Sequence, residues 1–181
     1  MRAGRLRSRA TLLALGDQLQ VVELGQRWVD IRTKEGATPA PAGLRQSSLV
    51  EIRARFSDIF RSGRYLQHGG RLFHLVSPRP VGNGAELVVS AEELAGTPAT
   101  YTATPGATAL PCRVFLAYGV SRPGQFSGAV EYVTELEAAV VEVGRPQPGG
   151  VFEVDGVAWR VAGLVETEDD RVVRRMWVKK V

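Results

Sequence analysis

Apolar and polar residues alternate along most of this chain, in short runs broken by glycine, proline and small polar residues. A period of two is the pattern of strands with one face buried. In the first half it predicts strands over Leu6–Leu15, Gln18–Ile31, Leu49–Phe56, Tyr65–Gln67, Arg71–Ser77 and Ala85–Ala91. The second of these carries a break near Gly25. In the second half it predicts strands over Leu110–Tyr118, Glu131–Val143, Val151–Val154, Val157–Val165 and Arg171–Val178. No helical period persists beyond two turns. The expected fold is all-β: two tandem small barrels or sandwiches with little helix.

The stretch "RYLQHGGRLFHLV", Arg64 to Val76, is the clearest local signal. Its Gly-Gly pair accepts the positive φ angles of a tight hairpin turn. Shifted by 86 residues, "GRYLQHGGRLFHLV" falls on "GGVFEVDGVAWRVA". Gly63 meets Gly149, Gly70 meets Gly156, and Phe73 meets Trp159. The same shift sets Val50, Ile52 and Ala54 on Leu136, Ala138 and Val140. Ordered agreement of a strand and a hairpin points to an internal repeat. Gly70 and Gly156 are expected at the turns, with Phe73 and Trp159 filling the barrels. Trp28 and Trp177 are expected as core or inter-subunit anchors. "GTPATYTATPG" reads as a connection, which gives domains 1–95 and 110–181 with a linker over 96–109.

Between Ile31 and Leu49 lies "RTKEGATPAPAGLRQSS", longer than a barrel connection requires. Lys34, Glu35, Gly36, Pro39, Pro41, Gly43 and Arg45 are its candidate functional residues.

Composition narrows the reading. Of 181 residues, 44% are hydrophobic, and glycine (20) and proline (10) suit a turn-rich fold. No apolar run is long enough for a membrane-spanning helix. The basic, then apolar N-terminus lacks a small-residue cleavage site and reads as a strand rather than a signal peptide. A single Cys112 excludes an internal disulfide framework and suits a reducing cytoplasm. Net charge is +4, unevenly placed: residues 1–94 hold 14 basic and 9 acidic side chains, the rest 9 and 10. Arg2, Arg5, Arg7 and Arg9 form a basic start, suited to nucleic acid or to an acidic protein surface.

Catalytic signals are weak. His68 and His74 have no partner at metal-ligand spacing, and His74, next to Phe73, is expected to face outward from the barrel. Cys112 reads as a buried thiol with no base at hand. "VGNGAEL" is better explained as an Asn-Gly turn than as a phosphate loop. "ETEDD" reads as a solvated hairpin tip. We expect no enzyme and no cofactor or metal.

Several segments together resemble the head–tail joining family of tailed bacteriophages, the head-closure or stopper proteins of the virion neck. They are "G-R-L-R-x-R" at the start, Trp28 in "QRWVDI", Ile52–Phe56 in "I-R-x-R-F", and Gly63–Leu75 in "G-R-x-x-x-x-x-G-R-x-F-x-L". The resemblance covers about residues 1–94; the loop "ATPAPAGLRQ" is more Pro- and Ala-rich than that family's pattern. Residues 97–181 more weakly resemble a second small β-barrel joining protein of phage structural clusters. The resemblance implies a structural virion protein in a homo-oligomeric ring. The ring would close the DNA channel after packaging and offer the tail its attachment surface. It implies a portal or adaptor on the head side, a tail terminator or tail tube on the other, and packaged double-stranded DNA in the channel, with no membrane. The long loop would gate the channel, and Arg2, Arg5, Arg7 and Arg9 would face partners or DNA. Such a protein would be made in the bacterial host cytoplasm and reside in the virion. Other readings are a single-stranded nucleic-acid-binding barrel of OB type, a tail terminator or tail completion protein, or a minor enzyme-associated subunit.

Overall fold

The computed structural model describes residues 6–33, 43–123, 130–165 and 170–181. The chain divides into two units, Met1–Ala95 and Gly96–Val181.

The first unit is built from β1 (Ser8–Leu15), β2 (Val21–Thr33), β3 (Arg45–Arg55), β4 (Tyr65–His68), β5 (Arg71–Val81) and β6 (Glu86–Leu94). They close in the order β1-β2-β3-β6-β5-β4, every pair antiparallel and β4 pairing back onto β1. The inward phase of each strand supplies the core: Leu12, Val29, Ile52, Leu66, Phe73, Leu75 and Val89 are all fully buried. Phe60, from the β3–β4 connection, packs into that core.

The second unit repeats the plan with β7 (Thr97–Thr102), β8 (Leu110–Pro123), β9 (Val130–Ala139), the helical turn α1 (Val140–Val143), β10 (Val151–Val154), β11 (Val157–Leu164) and β12 (Val173–Lys180). Its closed order is β10-β11-β12-β9-β8-β7, the same cyclic arrangement as the first. Leu136, Ala138, Phe152, Met176 and Val161 fill it, with Val143 of α1 packed among them. The fold is thus all-β with two closed six-stranded barrels.

The repeat is geometric as well as sequential. Gly69 and Gly70 have φ of 56° and 79°; Asp155 and Gly156 have 50° and 75°. Two positive φ values in a two-residue loop make a type I′ turn, whose twist matches the strands it joins. Behind each turn, Gly63 N–H donates to Leu75 O at 2.9 Å and Gly149 N–H to Val161 O at 2.8 Å. Val76 and Ala162, again 86 apart, are the extra residues of matching β-bulges.

Four expectations change. The stretch read as a linker holds β7, with Ala99 and Tyr101 pointing inward. β3 begins at Arg45 rather than Leu49, so Arg45 belongs to a strand. Val140–Val143 form a helical turn, not the end of a strand. The strand alignment is also corrected: Ala54 faces Val29 as Ala138 faces Val114, a shift of 84. Nine residues separate β3 from β4 and eleven separate β9 from β10, which restores 86 at the hairpin. The break near Gly25 is a bulge, with Leu12 opposite Gly25 and Leu13 opposite Glu23.

Candidate interaction surface

Both barrel interiors are packed with side chains, so chemistry has to happen outside them. An open corner of the first barrel lies where β1, β2 and β3 run together. Val29 takes the inward phase of β2 and is fully buried, which turns Trp28 outward. Trp28 is 56% exposed and Phe56, just past β3, is 51% exposed. Half-exposed large aromatics leave apolar area in water that a bound partner would cover.

These two rings open onto a cavity of about 750 Å³. Leu6 and Phe60 add apolar walls, and Arg55 and Arg27, whose Nη1 donates to Gln26 O at 2.9 Å, also line it. Arg9 on β1 is paired directly with Trp28 and is itself exposed. One step beyond the Val29–Ala54 pair lies Arg55, so Trp28 sits between arginines on both neighbouring strands. Asp30, the next outward residue on β2, is engaged by Arg32 at 2.7 Å. Of the two expectations for Trp28, core or inter-subunit anchor, its 56% exposure therefore overturns the core one.

The base of the long β2–β3 connection is built differently. Gly43 and Leu44 are buried, and Leu44 O accepts from Ala95 N–H at 2.9 Å. Arg45 donates to Glu92 at 3.2 Å, and His74 stands 3.5 Å from the same carboxylate. Arg71 clasps Glu93 through two bonds of 2.6 and 2.7 Å, lies 4.8 Å from the Phe73 ring centre and reaches Thr33 at 3.3 Å. The Glu93 contact holds the Arg71 guanidinium above its ordinary pKa. Gly43 and Arg45 thus belong to an anchored base. Lys34, Glu35, Gly36, Pro39 and Pro41 lie outside the described residues, as do Arg2, Arg5 and Glu166–Asp169 of "ETEDD". His74, expected to face outward, has a side chain only 12% exposed and lies 5.4 Å from Tyr65, ring to ring.

Arg7, just before β1, and Arg9, on the outer face of β1, are both exposed. Phe73 is fully buried, Trp159 is 9% exposed, and Gly70 and Gly156 occupy positive-φ turn positions. On the second barrel the corner matching Trp28 holds Arg113, paired with Pro98. Its backbone N–H and side-chain Nε both donate to Glu142 of α1 at 2.9 Å. Burial pushes the Cys112 thiol up to about 12, with Glu142 adding to the shift, so it stays protonated and a poor nucleophile at neutral pH. Among the described residues no group of His, Cys, Asp and Glu is placed to hold a metal ion.

Sequence reasoning missed Phe56, Arg27 and Arg55 as surface residues. The usable signal was parity: Trp28 shares its strand phase with Asp30 and Arg32, and Arg55 shares its phase with Arg53. No family model matches this chain, and no curated protein matches it either.

Proposed function

We propose that this protein is a structural component of the neck of a tailed-phage virion. It assembles with copies of itself into a ring that closes the DNA channel after packaging and offers the tail its attachment surface. One observation carries the reading. Three segments that bear the resemblance lie far apart in the chain, yet Leu6 of the first, Trp28 of the second and Arg55 and Phe56 of the third line one cavity. A shared surface explains why such separate segments would have a recognisable pattern together. Filled barrels with an aromatic and arginine-rich corner suit a protein that works by contact, since Trp and Arg dominate the energetics of interfaces.

In this reading the partners are further copies, a portal or adaptor on the head side and a tail terminator or tube on the tail side. Packaged duplex DNA runs through the centre. The β2–β3 connection faces the channel, held at its base by Leu44 and by the Arg71–Glu93 clasp.

Electron microscopy of the purified protein, and of particles from a host expressing it, tests the proposal. Rings in the first and antibody labelling at the head–tail junction in the second are expected. Deleting residues 36–41, which spares Gly43 and Leu44, should leave rings intact while filled heads lose DNA before tails attach. A protein that stays monomeric at high concentration and is absent from particles overturns the reading.

A further inference from the structure

We propose that the Trp28 corner of the first barrel binds single-stranded nucleic acid. One base stacks on Trp28 in the cavity, and the flanking phosphates meet Arg9 on one side and Arg55 on the other. This inference does not rest on the neck reading.

The geometry favours that ligand. Adjacent strands lie about 5 Å apart, so Trp28 on β2 is flanked at one strand spacing by the arginine positions Arg9 on β1 and Arg55 on β3, whose long side chains share its outer face. A nucleotide within a strand has the same layout, a flat base with a phosphate on either side. Aromatic faces interleaved with arginine are the usual equipment for sequence-tolerant single-strand binding. Arg27 adds a third cation at the cavity wall, and the lining residues include no carboxylate. The nearest carboxylate along β2, Asp30, is already engaged by Arg32. Glu86 stands opposite Arg55 on β6 and bounds the cationic strip on that side. The volume of about 750 Å³ lies within the range of small-ligand sites. Phe56 supplies a second ring for the next base. Duplex DNA hides its base faces in the stack, so the rings select for unpaired strands.

The probe is a fluorescein-labelled decathymidylate, followed by anisotropy and by intrinsic tryptophan fluorescence at 50 mM salt. Saturable binding with quenching is expected. Trp28→Ala should weaken it by roughly 5- to 150-fold, the cost of one lost stacking partner. Trp28→Phe should keep most of the affinity and lose the quenching, because Trp159 is 9% exposed and Trp177 sits under Arg122 at 5.7 Å. Arg9→Gln and Arg55→Gln should each lower the salt slope by about 0.7. An unchanged circular dichroism spectrum controls for folding, and the arginine variants keep the test decisive if Trp28→Ala misfolds. The inference falls if decathymidylate does not bind, if Trp28→Ala binds like the wild type, or if a ten-base-pair duplex binds as tightly as the single strand. It also falls if a polyglutamate peptide displaces the oligonucleotide and binds more tightly, since the corner is then a protein-docking face.

Discussion

The two barrels share their strand order, their type I′ hairpin and a bulge at the same step, yet they treat one corner in opposite ways. In the second barrel the outward residue of β8 is Arg113, and the β9–β10 connection is long enough to form α1 and bring Glu142 against it. Both side chains are 15% exposed and the pair closes the corner. In the first barrel the same outward position of β2 is Trp28, the connection is two residues shorter, and the corner opens into a cavity. One frame thus supports a corner closed by an ion pair and a corner left open with exposed aromatic rings, and the switch lies in one strand residue and the loop beside it.

The comparison can be broken first at what the barrels share. Phe73→Ala and Phe152→Ala each remove a fully buried ring, and each should cost about 3–5 kcal/mol. Urea unfolding should show each variant moving the transition of its own barrel alone. Movement of both transitions by one variant would show that the units are energetically coupled.

The contrast between the corners gives a smaller effect. Glu142→Ala strips the acceptor from two donors of a mostly buried arginine and should cost about 2–3 kcal/mol. Trp28→Ala in the first barrel, at a half-exposed ring, should stay within about 1 kcal/mol. Equal losses in the two variants would mean that the Trp28 corner is structural as well.

The smallest effect tests the hairpins. Gly70→Ala and Gly156→Ala meet open space but keep a positive φ, so each should cost about 1–2 kcal/mol through backbone strain. Matching shifts in the two unfolding midpoints would show that the turns are equivalent in energy as well as in shape.

These elements were not equally readable in the sequence. The hairpins were plain because a type I′ turn demands a residue type at fixed positions, and Gly70 and Gly156 answer that demand. β7 was hidden because its inward residues, Ala99 and Tyr101, sit among threonines and a proline whose composition suggests a connection. The proline is tolerated because Pro98 lies near the start of the strand, where a missing N–H costs little. The strand repeat slipped by two residues because glycine fixes a turn, whereas alternation fixes only parity: shifts of 84 and 86 both put apolar residues on the same face. At the candidate surface the size of the Trp28 ring left core and inter-subunit anchor both open, although Asp30 and Arg32 on the same phase pointed outward. The cavity itself depends on Leu6, Trp28 and Phe56 converging, which register alone decides.

Closure of the sheets also determines how this protein can change. Val21–Arg27 of β2 and Pro78–Val81 of β5 pair on one side only, but along the stretches that close the barrels each strand is hydrogen-bonded on both sides, so the main chain there has no edge on which another chain could extend the sheet. Recognition is left to side chains, and side chains can be replaced one at a time while the ladder beneath them stays intact. A duplicated frame of this kind can therefore alter its affinities by single substitutions, one copy at a time, without renegotiating its fold.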